Sequence, residues 1–269
     1  MRGTSWLAGM SPRRRLLAAL AALVVIAAGV LAGVAATGGP APVNRTGLLP
    51  ARPGPVLLVP GYGGSTGSLD TLATHIRAAG RTATVLHLPG TGTGSLITDA
   101  AMLNTAVNRA LAHGAPSVDV IGYSAGGVVA LIWARRDNGA HKARRIITLG
   151  APFHGTSLAG AAAGLLPGAC PAACQQLVPG SSLLTSLDPA DPAGLPRWLA
   201  LWTTDDTTVI PPDSGRLAGA VNLAIQSLCP AVQISHSQLP TSPVVTAMVL
   251  QAIGTAPLGK PSATDCHGG

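Results

Sequence analysis

Ser124 stands in the run Val118-Asp119-Val120-Ile121-Gly122-Tyr123-Ser124-Ala125-Gly126-Gly127-Val128-Val129-Ala130. An apolar strand pattern leads into the serine, and a small-residue helical pattern starts directly after it. A hydroxyl at the tip of so sharp a bend has no neighbour above it. Gly122 and Gly126 lack the Cβ atoms that would collide there. The helix that follows turns its free N–H groups to the same spot, which suits a nucleophile whose attack builds negative charge. A serine hydroxyl is a weak nucleophile at neutral pH. It needs a base within hydrogen-bond reach, and the base needs a carboxylate to fix its tautomer.

The spacing Gly-x-Ser-x-Gly is weak evidence in a chain with 34 glycines, and it recurs at Gly63-Gly64-Ser65-Thr66-Gly67. Ser65 lies several residues past the nearest apolar run, inside a glycine loop, and reads as a turn serine. After Ser124 the histidines are His141, His154, His236 and His267. His141 lies in a polar, arginine-rich stretch. His267 lies in a tail with no rigid element to hold it, and His154 precedes the plausible acids. His236 follows the last strand pattern and is the expected base. The acid must come from the strand end before it, where Asp205 and Asp206 are adjacent; their side chains diverge, so only one can face the imidazole. Asp188, Asp191 and Asp213 occupy proline-rich turns and suit capping or solvation.

An oxyanion needs two backbone donors. Ala125, next to the nucleophile, supplies one, and Tyr62 in Gly61-Tyr62-Gly63-Gly64 supplies the other. A phosphate-cradling loop is the rival for that glycine segment, but the lysine and Ser/Thr of a P-loop are missing.

Several elements must bring these groups together. Pro55 to Pro60 reads as a strand buried on both faces, followed by a helix capped by Ser68 or Asp70 and reaching Ala79. Thr82 to Leu88 reads as a strand, Ser95 to His113 as a helix, and Arg144 to Leu149 as a further strand. Leu199 to Thr203 resumes the sheet. Val221 to Ser227 and Ala231 to Ser235 read as strand pieces, and Val244 to Ile253 as the last helix. The alternation predicts a mostly parallel sheet with helices on both faces. Its ligand site lies beyond the carboxyl ends of the strands, where Tyr62, Ser124 and His154 all fall. Residues 156–196 break the alternation and are expected to form a small cap-like insertion.

The formal charge is +7, but Arg2, Arg13, Arg14 and Arg15 lie in a leader, which leaves +3 for the rest. No basic stripe is interleaved with aromatics, so no nucleic-acid partner is expected. Arg135-Arg136 and Arg144-Arg145 read as solvated flanks of a helix and a strand. Arg13-Arg14-Arg15 followed by the apolar run 16–36 is an export signal, cleaved near Val34-Ala35-Ala36 or retained as a membrane anchor. Residues 37–54 form a linker, and residues 55–269 one domain. The four cysteines should pair outside the cytoplasm. Cys170 and Cys174 close a short loop most easily, which leaves Cys229 for Cys266. Their spacing does not suit a zinc site.

Five segments together resemble a secreted bacterial lipase or esterase of the α/β-hydrolase superfamily, of the small type with a minimal cap. They are Val59-Pro60-Gly61-Tyr62-Gly63-Gly64, Gly122-Tyr123-Ser124-Ala125-Gly126-Gly127, Leu149-Gly150-Ala151-Pro152-Phe153-His154-Gly155-Thr156, Asp206-Thr207-Thr208-Val209-Ile210-Pro211 and Ser235-His236. The resemblance implies an α/β-hydrolase fold, hydrolysis of lipid or other apolar carboxylic esters and no organic cofactor; separately, no metal ligands are assigned and a monomer is expected. The resemblance selects Asp206 over Asp205 as the acid beside Ser124 and His236. One departure stands out: such lipases usually carry histidine before the oxyanion glycine, where this chain has Pro60. A non-catalytic binding protein of the cell envelope is the alternative from another class. An acyltransferase or a peptidase could use the same triad.

Overall fold

The computed structural model describes residues 52–165, 168–187 and 197–267. The leader, most of the linker, and Asp188 and Asp191 lie outside the described residues. Strands β1 (Val56–Val59), β2 (Ala83–Val85), β3 (Val118–Tyr123), β4 (Ala143–Leu149), β5 (Arg197–Trp202) and β6 (Val221–Ala224) form one sheet, in the order β2-β1-β3-β4-β5-β6. Every pairing is parallel. Parallel neighbours need crossovers, and these are α1 (Gly67–Ala78), α2 (Leu96–Ala112) and α3 (Ala125–Arg136). Three short helices, α4 (Ser157–Leu165), α5 (Ala172–Gln176) and α6 (Ser182–Leu187), fill the insertion between β4 and β5. The chain ends through α7 (Ile225–Leu228) and α8 (Pro243–Ile253).

Burial on both faces explains the apolar strands. In β1, Leu57 and Val59 pack toward α2 and α3, while Val56 and Leu58 pack toward α1 and α8. This period of two repeats in β4, where Ile146 and Ile147 enter opposite layers. α2 starts where expected, since Ser95 at its N-cap accepts from the Ile97 N–H.

The structure corrects four local expectations. α1 starts after Thr66 with no side-chain cap, so Ser68 and Asp70 lie in its first turn. β2 is only three residues long. The segment 231–235 forms no strand, and 225–228 is a helix, so the chain leaves the sheet after Ala224. Arg144 and Arg145 are buried at the start of β4 rather than solvated. Asp119, fully buried in the neighbouring strand, accepts from Arg144 Nε at 3.0 Å and from Arg81 Nη2 at 2.8 Å. Other guanidinium donors of Arg144 and Arg145 reach carbonyls at the C-terminal end of α8. Arg144 donates to Gly254 O at 2.8 Å, and Arg145 to Ala252 O and Ala256 O. The carbonyl end of a helix is a favourable place for a buried cation.

Candidate active site

Strand order reverses between β1 and β3: the chain goes from β1 to β2 on one side, then returns to place β3 on the other. Loops leaving β1 and β3 therefore part at the carboxyl edge and open a crevice, the usual ligand position in such sheets. The β1 loop carries Tyr62 and the β3 loop carries Ser124. A Cβ on Gly61 would lie 3.0 Å from the Ser124 Cβ, so the two loops touch.

Ser124 holds φ 53° and ψ −126°, a conformation that L-residues rarely adopt. Its N–H donates to Leu149 O at 2.8 Å, which ties the bend to the end of β4. Crowding explains the glycines. A Cβ at Gly126 would meet Val59 O at 2.3 Å, and one at Gly122 would meet Gly126 O at 2.5 Å. Ser124 occupies the N-cap of α3 but makes no side-chain cap bond. Its Oγ lies instead 2.9 Å from Nε2 of His236.

Asp206 follows β5 and is buried. Its Oδ1 accepts from the N–H groups of Thr208 at 2.8 Å and Val209 at 2.7 Å. That local turn aims Oδ2 at His236, whose Nδ1 is 2.6 Å away. The three side chains proposed from the sequence thus meet in one hydrogen-bonded line. His236 is buried and opens a short turn closed by a reciprocal Ser235–Gln238 cap. The Tyr123 ring packs against the imidazole at 5.2 Å, and its hydroxyl donates to the His236 carbonyl at 3.2 Å. Burial, and then the Asp206 carboxylate, push the Tyr123 pKa up to about 12, so the phenol stays a donor at neutral pH. Tyr123 was legible only as a spacer within the serine motif.

The backbone N–H groups of Tyr62 and Ala125 have no hydrogen-bond acceptor among the described residues. Tyr62 and Ser124 line a cleft of about 240 Å³, and Ala125 directly follows that serine. Its far walls are apolar: Leu158, Ala159 and Ala162 of α4, with Leu177 and Val209. The insertion is fastened around the cleft. Cys170 and Cys174 form a disulfide beside α5, and Gln176 accepts from the Leu96 N–H at 2.8 Å. The Thr156 hydroxyl donates to Thr208 O at 2.8 Å and accepts from the Ile210 N–H at 3.1 Å, joining α4 to the aspartate loop. Cys229 and Cys266 form the second disulfide.

The rejected candidates stand apart. Ser65 and His141 are exposed. His154, also exposed, faces Arg216 O. Asp213 is exposed in a turn. Asp205 is exposed and turned away, its Oδ2 3.1 Å from Gln226 Nε2. Among the described residues, no group of three or more His, Cys, Asp or Glu could hold a metal.

A family model for the alpha/beta hydrolase fold matches residues 54–169. Among solved structures, the chain is similar to Aspergillus fumigatus lipase B, with a TM-score of 0.62 and 18% identity, covering 74% of this chain and 52% of that one. It therefore spans about half the length of the fungal lipase. Bacillus licheniformis lipase BlEst2 in its mature form gives a TM-score of 0.61 at 17% identity, covering 74% of this chain and 91% of that one. At these identities the likeness is one of fold. No curated protein matches the sequence.

Proposed function

We infer that this chain, an α/β hydrolase by its fold, is a serine hydrolase that cleaves carboxylic esters with apolar acyl groups through an acyl-enzyme. The observation that carries this reading is the line from Ser124 Oγ through the His236 ring to Asp206, with steps of 2.9 Å and 2.6 Å. His236 takes the Ser124 proton at Nε2 as Oγ bonds to the ester carbonyl carbon. Asp206 holds the Nδ1–H tautomer and stabilises the imidazolium that forms. The carbonyl oxygen becomes an oxyanion, which the free N–H groups of Tyr62 and Ala125 receive. Collapse breaks the bond to the alcohol oxygen, and His236 returns its proton to that oxygen. Water then attacks the acyl-serine with the same base, releasing acid and restoring Ser124. The chain's own groups fill every role, so the reaction needs no cofactor.

Apolar substrates are supported by the surroundings of the cleft. Tyr62, Leu158, Leu165 and Ile210 are large hydrophobic side chains left exposed on the cleft-forming segments. From Gly155 to Leu187 the chain carries no Asp, Glu, Lys or Arg. Two disulfides favour an exported protein. No helix among the described residues is long and apolar enough to cross a membrane. The proposed leader, residues 1–36 with its apolar run 16–36, lies outside them and would either be removed or anchor the domain at the outer face.

A fluorophosphonate probe tests the mechanism. It is expected to label Ser124, and Ser124→Ala is expected to lose both labelling and hydrolysis of p-nitrophenyl esters. Turnover at the wild-type rate in Ser124→Ala rejects the reading.

A further inference from the structure

The base and the acid both ride on irregular segments. Asp206 follows the end of β5, and His236 follows residues 229–235, which form no helix or strand. Gln226, in α7, bridges the two. Its two Nε2 hydrogens are shared among Thr203 Oγ1 at 2.8 Å, Asp205 Oδ2 at 3.1 Å and Val232 O at 3.3 Å. Its Oε1 accepts from the Thr204 N–H at 2.9 Å. The Thr204 N–H can only donate and the Val232 carbonyl can only accept, so these partners fix which way the amide points. Thr203 is fully buried and continues the bridge, its hydroxyl donating to Ile234 O at 2.6 Å, two residues before His236.

We propose that Gln226 is a positioning residue for hydrolysis: it ties the aspartate loop to the histidine loop and holds the Asp205 carboxylate away from His236. This rests on the serine-hydrolase reading above. A hydrolytic line must be held to within about 0.5 Å by groups whose own positions are locked. The segments on either side of Asp206 and His236 have no sheet partner to supply that. The side chain of Gln226 contacts both: residues 203–205 on one loop and Val232 on the other. It also gives Asp205 a hydrogen-bond donor that is not the imidazole, so two adjacent carboxylates do not compete for one histidine.

The test compares Gln226→Met, which keeps the length of the side chain and removes its polar atoms, with wild type. kcat is expected to fall about 10- to 100-fold, as for a small misplacement of reacting groups, with KM within about twofold. The far-downfield proton resonance of the His236–Asp206 hydrogen bond should weaken or vanish. In an Asp206→Asn background the same substitution should add nothing, because the link it serves is already lost. If Gln226→Met does not fold, Thr203→Val cuts the bridge from its other end and must give the same pattern. Wild-type kcat with the resonance intact, or a full additive loss on top of Asp206→Asn, overturns the proposal. Ser124→Ala is assayed alongside. Activity surviving in Ser124→Ala rejects the parent reading, whereas its loss together with an unaffected Gln226→Met rejects only the bridge.

Discussion

Asp206 faces His236 with one carboxylate oxygen only. Oδ2 meets Nδ1 at 2.6 Å, while Oδ1 is held by the backbone of Thr208 and Val209. Asparagine at 206 can keep its oxygen on those backbone donors, which turns its NH₂ toward the imidazole and imposes the wrong tautomer. Asp206→Asn is therefore expected to lower kcat by roughly 10³- to 10⁴-fold, measured on a soluble p-nitrophenyl ester. Asp205→Asn keeps an oxygen for Gln226 and should cost no more than a few-fold. A larger loss in Asp205→Asn than in Asp206→Asn would exchange the two roles.

Ala162 sets the width of the cleft on the α4 side. A phenyl ring there occupies volume that a long acyl chain would need and leaves the approach of a two-carbon acyl group open. Ala162→Phe should lower the kcat/KM ratio of p-nitrophenyl octanoate to acetate by about tenfold or more, since each methylene in an apolar pocket is worth roughly 1–3 kcal/mol. An unchanged ratio would show that the acyl chain runs elsewhere.

What was legible in the sequence was what short-range pattern encodes. The apolar run before Ser124 and the small residues after it can only be a buried strand turning straight into a helix. The helical periodicity from Ser95 to His113 marked α2. His236 emerged by elimination, because the other histidines lay in a polar surface stretch, lacked a rigid support or came too early in chain order. Apart from the resemblance, nothing in the residues chose between Asp205 and Asp206. The choice depends on the Asp206 turn and on Gln226, some twenty residues away, and nothing in the run Ile225-Gln226-Ser227 marks that amide as a bridge. The burial of Arg144 and Arg145 was hidden for the same reason. A paired arginine at a strand start looks solvated until the end of α8, more than a hundred residues later, supplies its carbonyls.

Those arginines lead to a prediction about stability. Asp119 is the carboxylate shared by two guanidinium groups, Arg81 and Arg144, at the opposite end of β3 from Ser124, about 16 Å away at the rise of an extended strand. Removing one member of a buried ion pair leaves its partner uncompensated, at a cost of about 3–5 kcal/mol. Asp119→Asn is expected to unfold at correspondingly lower urea, with kcat on p-nitrophenyl acetate at 20 °C within about twofold of wild type. An unchanged urea midpoint would mean that the α8 carbonyls alone compensate the arginines.

Asp99 gives the pH dependence. It lies in the first turn of α2, is 2% exposed, and its Oδ2 finds no hydrogen-bond partner among the described residues. Burial raises its pKa above the ordinary carboxyl value. The folded state therefore holds this proton more tightly than the unfolded chain does. Stability from this group is fully present below the unfolded value, about 3.9, and is lost as pH rises through the higher folded value. Asp99→Asn keeps the shape and removes the charge. Its melting temperature should exceed that of wild type at pH 7, and the gap should close as pH falls toward 4. A gap that stays constant from pH 7 to pH 4 would show that ionisation at Asp99 costs the folded protein nothing.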